Sequence, residues 1–207
     1  MRRIFILINL VLMLPFMGSS QVLKNIDEIA PFHEELAAVR QGTQWGFIDK
    51  KGALVIAYRD DLVLSKTDKN TTAYPYFEDG RCRIQQKANG ISQFGYIDKK
   101  GNTVIKPEFL NATNFENGHA IVLKIAKEEL GRNDLLDKKV VSYSYDEIVI
   151  DTTGKSKTFL NGPIHLVYKK DRLRKPPVIH SHFLSSDLIA VKNKNNLWNL
   201  YAIETSF

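Results

Sequence analysis

Trp45-Gly46-Phe47-Ile48-Asp49-Lys50-Lys51-Gly52 returns about 50 residues later as Phe94-Gly95-Tyr96-Ile97-Asp98-Lys99-Lys100-Gly101. A second apolar run follows each copy, Ala53-Leu54-Val55-Ile56 in the first and Asn102-Thr103-Val104-Ile105 in the second. Aromatic and β-branched residues on both flanks of a polar turn favour paired strands. Asp suits the start of the turn because its carboxylate accepts a hydrogen bond from a backbone N–H two residues on. Gly suits its end because it adopts a positive φ without a Cβ clash. The stretch therefore reads as a β-hairpin, and Asp49, Gly52, Asp98 and Gly101 as turn residues rather than catalytic ones. Asp151-Thr152-Thr153-Gly154 repeats the turn after Ile148-Val149-Ile150. Leu197-Trp198-Asn199-Leu200-Tyr201-Ala202-Ile203 reads as an eroded copy in which Asn replaces the Gly.

Upstream of each hairpin lies a second recurring piece, a phenylalanine, a polar turn and a strand. It begins at Phe32, Phe77 and Phe115, and in looser form at Phe183. One small antiparallel sheet cannot bury its apolar face alone, so neighbouring units must supply the core. The expected fold is all-β: tandem antiparallel hairpins or small sheets stacked in a twisted, open array. Its expected units are 32–76 and 77–114, followed by degenerate units 115–182 and 183–207. The rings of Trp45 and Phe94 are expected to pack between units, with Gly46 and Gly95 letting a neighbouring segment approach closely. Outside the pattern, Ile125-Ala126-Lys127-Glu128-Glu129-Leu130 before Gly131 reads as a short helix. Lys169 to Pro177 reads as a basic connector between strands Ile164–Tyr168 and Val178–Phe183, and Lys66 to Thr72 as a polar loop.

Residues 1–20 stand apart from this fold. Arg2 and Arg3 precede an apolar run from Ile4 to Met17, and Gly18-Ser19-Ser20 puts small residues ahead of Gln21. That is the pattern of a secretory signal peptide, and the run is short for a membrane span. The expected mature domain is 21–207, with no transmembrane segment after cleavage and an exported location: periplasm, cell envelope or medium. The formal charge of +6 includes the two leader arginines. The remaining excess is small and scattered, which does not suit nucleic-acid binding. Cys82 is the single cysteine, so no internal disulfide framework exists, and a core position suits it best.

These residues carry a family resemblance. A Phe, a short turn, a Leu-Ala-x-Val strand, then Trp-Gly-aromatic-Ile-Asp-x-x-Gly and Val-Ile is similar to the WG-repeat family. Phe32, Leu36, Ala37, Val39, Trp45, Gly46, Phe47, Ile48, Asp49, Gly52, Val55 and Ile56 fit it in the first unit. Phe77, Gly80, Gly95, Tyr96, Ile97, Asp98, Gly101, Val104, Ile105 and Pro107 fit it in the second, with Phe94 in place of the Trp. The resemblance is specific over 32–122 and weak from 140 onward. It implies three to four WG-type β units in a bacterial, often exported protein. It implies no catalytic residue and no cofactor.

Two functional readings follow. The first is a non-catalytic binding or scaffold module whose recognition surface lies on loops, chiefly Ala57–Tyr76 and Lys169–Lys175, with another envelope protein or a glycan as partner. The second is a metal- or polysaccharide-handling enzyme. His180 and His182 share one side of an extended segment at spacing two, and His165 is positioned to meet them across a hairpin. No nucleophile elbow, phosphate loop or calcium loop occurs in the sequence.

Overall fold

The computed structural model describes residues 23–67, 72–88, 90–133, 138–166 and 175–203. Among them every regular element is a strand, and all pairings between strands are antiparallel. The first sheet runs in chain order through β1 (Glu28–His33), β2 (Leu36–Gln41), β3 (Gln44–Ile48) and β4 (Leu54–Arg59). The second is a six-stranded meander: β5 (Cys82–Ala88), β6 (Ile91–Ile97), β7 (Thr103–Ala112), β8 (His119–Asn133), β9 (Lys138–Asp151) and β10 (Ser156–His165). The third holds β11 (His182–Phe183), β12 (Leu188–Lys192) and β13 (Trp198–Ala202). The leader read over 1–20, part of the polar loop and most of the basic connector lie outside the described residues.

One register runs through the hairpins β2–β3, β5–β6, β8–β9 and β12–β13. Ala37 pairs with Ile48, Cys82 with Ile97, Ala120 with Ile150 and Ile189 with Tyr201. Three of the turns that follow are closed alike. Oδ1 of Asp49, Asp98 and Asp151 accepts the backbone N–H groups two and four residues on. Gly52, Gly101 and Gly154 each donate an N–H to the carbonyl of that Asp, at φ of 80, 84 and 86°.

This shared register decides how the hairpins stack. Side chains alternate across a strand, so Trp45 and Phe47 share a forward face with Ala38, while Ala37, Val39 and Gly46 form the rear. The first forward face makes one core with Cys82, Ile84 and Ile97 on the rear of the second hairpin. Phe94 and Tyr96 do the same with Ala120, Val122, Ile148 and Ile150. Ile121 and Val149 then meet Ile189, Val191 and Tyr201.

Three contacts recur at the first two junctions. The Phe77 ring meets Phe47 edge-on at 4.8 Å, and Phe115 meets Tyr96 at 4.7 Å. The Glu34 carboxylate accepts the Gly80 N–H, and Asp79 accepts that of Gly118. Turn glycine Gly101 lies against Ile56 as Gly154 lies against Ile105.

Gly46 and Gly95 sit where the third strand of their unit crosses the hairpin. A Cβ on Gly95 would stand 2.4 Å from the Ile105 carbonyl oxygen and 2.6 Å from the Pro107 nitrogen; on Gly46 it would stand 2.8 Å from the Ile56 oxygen. The pairing slips at the same place, between Trp45 and Phe47 and between Phe94 and Tyr96. The glycines therefore admit a bulged, close crossing.

The structure departs from sequence expectation in three places. Ile125–Leu130 belongs to β8 and is not helical. Helix-favouring Glu128 and Glu129 are overridden by a β-rich partner strand: Ile125 pairs with Tyr145, Lys127 with Tyr143 and Glu129 with Val141. Gly131, at φ 143°, marks a register shift instead of a helix end. Val178–Ser181 lies outside any strand, and only His182 and Phe183 of that stretch pair with β12. The prolines before it lack the N–H groups a ladder needs. Finally, the second and third units form one sheet instead of two. β7 continues without a loop, and its Asn111 and Ala112 pair with Leu123 and Val122 of β8. The long insertion after β4 reduces the equivalent link to an isolated bridge, Leu62 with Ile84.

Candidate functional site

The last hairpin carries a forward face that no other described hairpin covers. Trp198 pairs with Lys192 and Leu200 with Ala190. Trp198 therefore occupies the register position of Trp45 and Phe94, and Leu200 that of Phe47 and Tyr96. Yet Trp45 is 6% exposed and Trp198 52%; Phe47 is buried, and Leu200 is 63% exposed. The difference has a simple cause. The earlier faces are each roofed by the rear of the next hairpin, and no described residue follows to roof this one.

Two polar groups frame the Trp198 ring. The His182 imidazole meets it edge-on, with ring centroids 5.2 Å apart. The Lys192 Nζ lies 5.5 Å from the ring centroid, within range of a cation–π contact. His182 is paired with Ala190 across β11–β12, which puts it on the same face. Among the described residues, β13 also has an unpaired outer edge. The result is an apolar strip, Trp198 and Leu200, with a basic rim and free backbone groups beside it. Such a surface is suited to apolar contact and to strand addition.

The histidines singled out in the sequence do not converge. His165 ends β10 opposite Ser144, whereas His182 lies on β11 and His180 in the segment before it. The Nδ1 of His182 is 3.4 Å from the His180 carbonyl oxygen. Among the described residues, no group of three or more His, Cys, Asp or Glu side chains comes together to hold a metal ion. The loop read as a recognition surface turns partly inward. Leu62 and Tyr74 are buried in the first core, and the Val63 N–H donates to the Arg83 carbonyl. Cys82 is fully buried in the same core, where desolvation pushes its thiol up to about 12.

One buried group stands out. Glu147 occupies the register position of Trp45 and Phe94 in the third hairpin, opposite Leu123. It is buried, and burial raises its carboxyl above the ordinary value against the opposing pull of Ser181 and His180. Its Oε1 and the Ser181 Oγ are buried beside one another, outside good hydrogen-bond geometry. The junction beneath the last sheet is thus built around an acid where the first two have an aromatic ring. No sequence signal announced this, because the third hairpin lacks the aromatic-Gly pair that would have aligned Glu147 with Trp45.

Comparison with known protein families gives one match: residues 45–59 and 94–124 fit the family described as WG containing repeat. The matched segments cover β3 with β4, and the second half of β6 through β7 into β8. Those two segments are therefore similar to WG repeats. Searches of curated proteins and of solved structures found no match.

Proposed function

We propose that this WG-repeat chain is an exported, non-catalytic binding or scaffold module, and that its recognition surface is the forward face of β12–β13. The observation that carries the reading is the contrast between register-equivalent residues: Trp45 and Phe47 are buried, while Trp198 and Leu200 stand open. A monomer rarely leaves a planned packing surface bare unless something else covers it. The surface is apolar and strand-edged, which favours a protein partner over a glycan. Export rests on the basic start, the apolar run Ile4–Met17 and the small residues before Gln21.

The test uses the purified chain and its Leu200→Asp variant as baits against a cell-envelope extract. Proteins held by the wild type should be lost by the variant while both melt at the same temperature. Identical retention by the two baits would refute the placement of the surface. Cell fractionation with and without residues 1–20 tests export separately.

A further inference from the structure

Among the described residues, the other end of the array is exposed in the complementary sense. Cross-strand partners share a face, so Ile29 with Val39, Phe32 with Ala37, and Leu54 with Ile48 all lie on the rear of the first sheet. Ala37 and Val39 form a buried floor, and around them Ile29 is 62%, Phe32 46% and Leu54 39% exposed. At the interior junctions, the rear of one hairpin is what covers the forward face of the one before it. Among the described residues, no hairpin lies against the first rear face.

Phe32 makes the match specific. Each interior unit opens with a phenylalanine that lands on the residue just after the previous Gly: Phe77 on Phe47 and Phe115 on Tyr96. Phe32 is the same residue of the first unit and meets no ring among the described residues, and Leu200, the matching receiver in the last hairpin, has no described phenylalanine upon it. The first sheet therefore presents an unused plug and the last an empty seat.

We propose that the forward face of β12–β13 receives the rear face of the first sheet of a second copy, with Phe32 of one chain seated on Leu200 and Trp198 of the next. This rests on the reading of that forward face as the recognition surface and names its partner. The contact joins two different patches, so it is heterologous, and repetition gives a ring or an open filament instead of a closed two-fold dimer. Two forward faces meeting one another would lack the interior geometry, since every junction inside the chain sets a forward face against a rear one.

Sedimentation velocity of the full chain over a concentration series tests this. The wild type should show a mass that climbs past two chains as concentration rises. Leu200→Asp and Phe32→Asp should each remain a single chain. Mixed in equal amounts, these two variants should give a two-chain species and nothing larger, because each retains one good end. Ile29→Lys, also on the rear rim, serves as a second rear-face variant should Phe32→Asp lower the melting temperature.

Two results would overturn the proposal: a wild type that stays a single chain at every concentration, or a Phe32→Asp variant that assembles as the wild type does. A single-chain wild type that still holds envelope proteins through Leu200 would remove self-assembly alone. If Leu200→Asp changes neither assembly nor capture, the recognition face itself falls.

Discussion

Trp45 and Trp198 are the same residue at the same register position, and they should respond to truncation very differently. A Trp side chain hides about 150–250 Å² when fully buried. For Trp45, 6% exposed, about 200 Å² at about 25 cal/mol per Å² gives about 5 kcal/mol. Residual burial in the unfolded chain trims this by roughly 10–40%, and the cavity left behind offsets part of the reduction. Trp45→Ala should therefore cost about 3–5 kcal/mol. Trp198 is half-exposed, so the same reckoning starts near 2.5 kcal/mol and falls to about 1.5, with no cavity because water fills the gap. The two variants should differ by about 1.5–3.5 kcal/mol in urea denaturation, read from the midpoints at a common slope. Equal losses at concentrations where the protein is a single chain would refute the reasoning, because they would mean that the last forward face is covered within the folded chain. A Trp45→Ala variant as stable as wild type would remove that ring from the core altogether.

Gly95→Ala should cost about 3 kcal/mol, the upper part of the overpacking range, because the new methyl meets backbone atoms of β7 that cannot rotate away. Gly46→Ala should cost less, since only one of its three nearest atoms is backbone; the reverse ranking in thermal melts would contradict the crossing geometry. Asp79→Ala should lose about 2 kcal/mol by orphaning the Gly118 N–H, whereas Asp79→Asn, which still accepts and tolerates the φ of 50° there, should retain most of it. Glu147→Gln tests the buried acid by pH. Its folded value is raised, so the folded chain binds the extra proton, and wild-type stability should fall as pH climbs from the ordinary carboxyl value through the raised one. The variant should lack that component, leaving it more stable than wild type on the alkaline side; parallel curves would show that Glu147 is solvated. The comparison must be with the variant, because Glu78 is also raised, by burial and by Asp79, Glu116 and Glu34, and slopes the same way.

Turn chemistry was the most legible layer. Asp and Gly at fixed spacing are local requirements, satisfied by the backbone within four residues, so Asp49, Asp98 and Asp151 could be read without any tertiary knowledge. The close crossing at Gly46 and Gly95 was legible for the same kind of reason, since only a missing Cβ permits it. The stretch Ile125–Leu130 reads as helix because Glu and Lys favour one locally, whereas the pairing that overrides them comes from β9, a separate stretch of chain. The candidate site was hidden more deeply. Trp198 was recognisable as an eroded copy of Trp45, but not as an exposed one. His165, His180 and His182 carry residue types that suggest chemistry their placement does not assemble.

By itself, then, the sequence determined the period, the hairpin, the turn and the all-β character, because each follows from residue preferences acting over a few positions. The tertiary structure decided which faces are shared. Burial depends on what stands next to a hairpin, so the same register position holds a core ring at Trp45, a buried acid at Glu147 and an open aromatic at Trp198. Only stacking distinguishes them, and only stacking leaves Phe32 and Leu200 exposed where their equivalents have neighbours.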